Sequence, residues 1–120
     1  MGSPPRLGGC MKRGDVYWVE FPPPDRRRPV VILTRNSAIG YLNALTVAPI
    51  TTTIRRVPSE VPVGPEDGLP ETGVVNLYNL QTVPKSRLST LITSLSRNKM
   101  SQAESALLFA LGIEASRPQR

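Results

Sequence analysis

The chain has 120 residues, 15 Lys plus Arg against 9 Asp plus Glu for a formal charge of +6, one cysteine and no histidine. That length suits one domain with a single modest core; a lone cysteine excludes an internal disulfide, and the missing histidines exclude both a Cys/His metal site and an imidazole general base. Thirteen prolines and a 39% apolar share argue against a helical bundle, while the basic balance favours a polyanionic partner such as nucleic acid or an acidic protein tail.

Residues 1–10, rich in Gly and Pro, read as a flexible leader or tag, with the domain running over 11–115 and a disordered tail at 116–120. Asp15 to Phe21 predicts a first strand, with Tyr17, Val19 and Phe21 on one face and Val16 and Trp18 on the other. Trp18 and Phe21 read as core or interface residues. Pro22, Pro23 and Pro24 end the strand and lead into Arg26, Arg27 and Arg28. Pro29 to Thr34 follows as a strand whose unbroken Val-Val-Ile-Leu run implies burial on both faces.

After a connection with room for one helical turn, Ala44 to Thr51 predicts a third strand, and Pro49 within it suggests an edge or a bulge. Val57 to Val63 alternates as a fourth, and 64–73 is a loop on its turn chemistry. Val74 to Tyr78 and Leu80 to Pro84 form one interrupted strand or two short ones, whereas the periodicity of Ser89 to Ser96 leaves helix and strand open. Ser101 with Glu104 makes a capping-box pattern, so a terminal helix is expected from Ser101 until Gly112 stops it. Strands followed by one helix predict a mainly β protein, an antiparallel barrel capped by a C-terminal helix. No apolar run reaches the roughly 20 residues of a membrane span, which leaves the cytoplasm as the expected location.

Two stretches carry chemistry. Arg28 stands just before a core strand, and Thr51, Thr52 and Thr53 end another. If these strands are antiparallel neighbours, Arg28 and Thr51 share a rim, and a guanidinium beside a hydroxyl suits a phosphodiester.

Lys12-Arg13-Gly14-Asp15-Val16-Tyr17-Trp18-Val19, Arg28-Pro29-Val30-Val31-Ile32, Val47-Ala48-Pro49-Ile50-Thr51, Gly73-Val74-Val75-Asn76 and Gln81-Thr82-Val83 occur in that order. In this the chain resembles the MazF/PemK (Kid) family of toxin endoribonucleases, from about Lys12 to Ile113. The resemblance implies an SH3-like barrel, a homodimer, metal-free cleavage of single-stranded RNA, and a MazE-like antitoxin whose acidic C-terminal tail occupies the RNA groove. It puts the family's catalytic arginine on Arg28 and its catalytic threonine on Thr51. No cofactor or metal is implied. Two departures stand out: only Pro22 to Arg27 separates the first strand from Arg28, where many members have a longer loop, and Tyr78 stands where several carry an Asp. Arg26, Arg27, Arg55 and Arg56 are the candidate phosphate contacts beside Thr52 and Thr53, with Asn76, Tyr78 and Asn79 as further RNA-binding candidates and Tyr78 as a stacking platform. The acids Glu60, Glu66, Asp67 and Glu71 read as a solvated loop. The rival readings are a gyrase-poisoning toxin of the same shape, which needs no Arg-Thr pair, and a non-catalytic RNA-binding module, for which an aromatic content of 5% is low.

Overall fold

A computed structural model describes residues 11–24 and 26–114; the expected leader and tail lie outside the described residues. Seven strands are found among them: β1 (Asp15–Glu20), β2 (Arg27–Ile32), β3 (Ala44–Thr51), β4 (Glu60–Val63), β5 (Gly73–Asn76), β6 (Gln81–Pro84) and β7 (Leu88–Ser94). A one-turn helix α1 (Asn36–Ile39) links β2 to β3, and α2 (Arg97–Leu111) closes the chain. Pairing runs β4-β5-β3-β2-β1-β7, with β6 joined to β3, and every ladder is antiparallel. This is the expected class, but the ring is not closed: among the described residues no ladder joins β4 to β7. The gap is bridged instead by Thr93, whose hydroxyl donates to the Asp67 carbonyl (3.0 Å), and by Lys99 of α2, whose ammonium donates to the Pro62 carbonyl.

The strands are covered on both faces, which explains why β2 lacks polar alternation. Val31 packs with Val16, Ala48, Val75 and Leu77 under α2, while Val30 and Ile32 pack with Val19, Val47, Leu45 and Ile39. Val30, Val31 and Ile32 are fully buried, each contributing about 1.5–3 kcal/mol relative to exposure.

β2 starts at Arg27 rather than Pro29, because Glu20 and Val19 of β1 pair with Arg27 and Arg28. Pro49 is not at an edge. It is buried and pairs with Val30, and it sits where β3 has left β6 after Val47 and not yet joined β5 at Ile50. A residue without an N–H is tolerated at such a break between ladders.

The segment after Ser89, ambiguous by periodicity, is strand β7, because Ser94, Thr93, Leu91 and Leu88 pair along β1. Helix α2 begins four residues before the expected Ser101. Its cap is Ser96, whose hydroxyl accepts from the Lys99 amide (3.1 Å), so the Ser101/Glu104 pattern lies inside the helix. Ser101 is exposed there, and Glu104 pairs with Arg13 at 2.9 Å rather than with the helix end. Gly112 ends the helix in the left-handed region, φ 71°, as expected.

Candidate nucleic-acid cleft

β2 and β3 pair as Val30↔Pro49, Val31↔Ala48 and Ile32↔Val47. Two more residues outward in that register set Arg28 opposite Thr51. Both line one open cleft of about 380 Å3, at the small end of ligand sites. Trp18, Arg27, Thr52, Thr53 and residues 69–73 line it as well. Arg28 and Thr51 are each half-buried.

The Thr51 hydroxyl is held by its own backbone. Its oxygen accepts a hydrogen bond from the Thr53 amide (3.1 Å), the local turn typical of a hydroxyl at a strand end. That bond uses a lone pair and leaves the O–H proton to donate. The turn that would mark Thr51 as merely structural thus leaves it able to donate.

Arg27 has different surroundings. Its guanidinium carbon lies 4.4 Å from the centroid of the Trp18 ring, and its Nε is 3.3 Å from the Glu20 carboxylate. An exposed cation–π contact contributes about 0.5–1 kcal/mol, and an exposed ion pair no more than that. Their combined effect is to hold one orientation. Trp18, expected in the core or an interface, is half-buried and lines the cleft.

The remaining candidates separate. Arg26, at φ 58°, is exposed on the turn before β2, where its carbonyl accepts from the Phe21 amide. Arg55 and Arg56 are exposed beyond the cleft lining, and both of their amides donate to one Glu60 oxygen (2.9 and 3.0 Å). Asn76, Tyr78 and Asn79 sit at the other end of β5, away from Thr51; the Asn76 carboxamide accepts from the Tyr78 amide (3.0 Å), and the Tyr78 side chain is 62% exposed. None of these three lines the cleft.

Sequence reasoning missed two cleft residues. Gly73 is buried against Thr51: a Cβ there would overlap the Thr51 carbonyl oxygen. Only glycine lets β5 approach β3 this closely beside the cleft, and a glycine opening a strand is the signal for such an approach. Glu71 also lines the cleft, the one carboxylate among the lining residues. Its neighbours in the acidic loop do structural work: Glu60 holds the Arg55 turn, and Asp67 accepts from the Gly64 amide (3.0 Å). Among the described residues no group of three or more His, Cys, Asp or Glu is placed to hold a metal ion.

A small antiparallel β domain with a guanidinium and a hydroxyl on one cleft has the groups that suit a phosphodiester ligand. Comparison with known proteins narrows this reading. Residues 12–111 match the family of PemK-like, MazF-like toxins of type II toxin-antitoxin systems, and the chain belongs to that family. It is 43% identical over 88 residues to endoribonuclease MazF3 of Mycobacterium tuberculosis strain H37Rv, covering 73% of this chain and 82% of the relative. To the probable endoribonuclease MazF5 of the same strain it is 46% identical over 72 residues, 59% of this chain and 65% of the relative. Among solved structures it is similar to the M. tuberculosis toxin MazF-mt6 (TM-score 0.77, 35% identity, 84% of this chain and 99% of that one). It is also similar to a mycobacterial endoribonuclease in complex with its cognate antitoxin (TM-score 0.80, 29% identity, 89% and 100%).

Proposed function

We propose that this chain is the toxin of a type II pair, an endoribonuclease that cuts single-stranded RNA at the Arg28–Thr51 rim. The observation that carries the reading is the convergence of those two side chains, from separate strand ends, on one cleft.

RNA carries its own nucleophile. Attack of a 2′-hydroxyl on the adjacent phosphorus forms a new P–O bond and expels the 5′-oxygen, leaving a 2′,3′-cyclic phosphate and a 5′-hydroxyl. The protein must stabilise the extra charge on the phosphorane and move one proton off the nucleophile and one onto the leaving oxygen. Arg28 suits charge stabilisation, since its fork matches two phosphate oxygens and keeps its charge. Thr51, with its oxygen turned toward the Thr53 amide, donates to a non-bridging oxygen. Glu71, the carboxylate in the lining, takes the 2′-hydroxyl proton, filling the place left by the absent histidines, and solvent water in the open cleft gives the departing 5′-oxygen its proton. The scheme draws on no metal.

The basic surface and the family support three further parts of the reading: a homodimer, an antitoxin with an acidic tail that competes for the cleft, and action in the cytoplasm. No helix is long and apolar enough to cross a membrane among the described residues. Incubation with a long single-stranded RNA in excess chelator tests the activity. Discrete fragments with 2′,3′-cyclic ends are expected; a gel shift without fragments would identify a binding module, and inhibition of gyrase without fragments would identify the poison.

A further inference from the structure

Arg27 and Arg28 are adjacent in sequence and line the same cleft, yet their environments suit different tasks. Arg27 is laid over the Trp18 ring at 4.4 Å and its Nε edge is taken by Glu20 at 3.3 Å. The register explains the assembly: Trp18 pairs with Pro29 and Glu20 with Arg27, so alternation puts Trp18, Glu20 and Arg27 on one face of the β1–β2 ladder. Glu20 competes with any phosphate for the Nε edge of Arg27, and the ring and the carboxylate together restrict where the guanidinium swings. The ion pair is made through Nε, so the two terminal nitrogens remain as a fork on a residue that lines the cleft. Contacts to phosphate position a strand, whereas directed donors to base edges specify its sequence.

We propose that Arg27, backed by Trp18 and paired with Glu20, is a specificity-determining residue that reads a nucleobase flanking the cut. The ligand chemistry is a base edge with two adjacent acceptors, the match for a guanidinium fork. In RNA only two bases offer it: guanine through N7 and O6, and cytosine through O2 and N3. Adenine and uracil interpose a donor at each candidate edge. Single-stranded RNA exposes both Watson–Crick and Hoogsteen edges for such reading. The inference rests on the endoribonuclease reading above and deepens it, because it gives the same cleft a base preference.

Primer extension on a long single-stranded RNA, with fragments aligned on the cut, tests it. In the wild type, one position flanking the cut carries guanine or cytosine over adenine and uracil by about tenfold, the discrimination expected of one forked contact. In Arg27→Ala and in Arg27→Lys, which lacks the fork, that ratio falls toward one. Synthetic RNAs assign the base without relying on a variant: 7-deazaguanine slows cutting if guanine is read, and sites bearing cytosine are unaffected by it if cytosine is. Binding to the same sequence with 2′-deoxy substitution at the cut adds a second readout. Arg27→Ala leaves its salt dependence in place, whereas loss of a phosphate contact lowers the log–log slope by about 0.7. Equal acceptance of all four bases by the wild type, an unchanged ratio in Arg27→Ala, or that loss of slope would each overturn the proposal. A wild-type protein that cuts no RNA would overturn the endoribonuclease reading instead.

Discussion

The two ends of the β1–β2 ladder are built from the same kinds of residue and behave in opposite ways. At the end remote from the cleft, the buried polar groups are paired with one another. Asp15 is completely buried, and its two oxygens accept from the Ser94 hydroxyl (2.6 Å) and the Lys12 amide (2.9 Å). Gly14, at φ 95°, donates its amide to Ile32 and accepts from Leu95, which ties β1, β2 and the end of β7 together. At the cleft end, Arg27, Arg28 and Thr51 face an open space walled by loops. The cleft-end side chains keep partners as well, Glu20 and Trp18 for Arg27 and the Thr53 amide for Thr51, but they also line open space, which the groups around Asp15 do not.

The largest test of that contrast lies at the cleft. Arg28→Ala and Thr51→Ala are each expected to lower RNA cleavage by about 100-fold or more, the scale of losing one preorganised donor, with far-UV circular dichroism unchanged. Glu71→Gln is expected to cost about as much if it is the base, and wild-type rates in that variant would remove it from the mechanism. Gly73→Ala comes next. Its new methyl meets the Thr51 backbone, so cleavage should fall by about tenfold or more, since small misplacements at a reacting centre are costly. Full activity in that variant would show that the approach of β5 does not set the position of Thr51.

The closed end should respond in stability and not in catalysis. Asp15→Ala removes a buried acceptor of two hydrogen bonds, for a loss of about 2–3 kcal/mol by urea denaturation, while kcat of the folded protein holds. A fall in kcat would mean that the two ends are coupled. The smallest pair concerns α2: Ser96→Ala should cost about 1 kcal/mol as loss of an N-cap, and Ser101→Ala within about 0.5 kcal/mol of nothing. The reverse order would restore Ser101 as the cap.

Much of this was legible in the sequence because local patterns and tertiary demands agree. The Val30-Val31-Ile32 run implied burial on both faces, and the third strand, Ala44–Thr51, has the bounds read from its residues. Arg28 and Thr51 were legible as a pair because antiparallel pairing alone brings their strand ends together. The start of α2 was not. Ser96 lacks the Glu three residues on that completes a capping box, and the pattern at Ser101 has that Glu but no orphan amides to satisfy. That Trp18 and the exposed loop residue Glu71 also line the cleft was not legible, because alternation states which face a residue takes but not what that face meets. Gly73 was visible as a residue but not as a spacer, since its importance lies in the Thr51 carbonyl across the ladder.

The missing β4–β7 ladder has a consequence for how the chain is made. Val61 and Val63 of β4 find their cover in Met100, Ala103 and Ala106 of α2, and the helix lies after every strand in the order of synthesis. On the ribosome, the strands emerge with that flank bare and the lid still in the exit tunnel. The flank of β4 is thus covered only after the helix that follows every strand has left the tunnel.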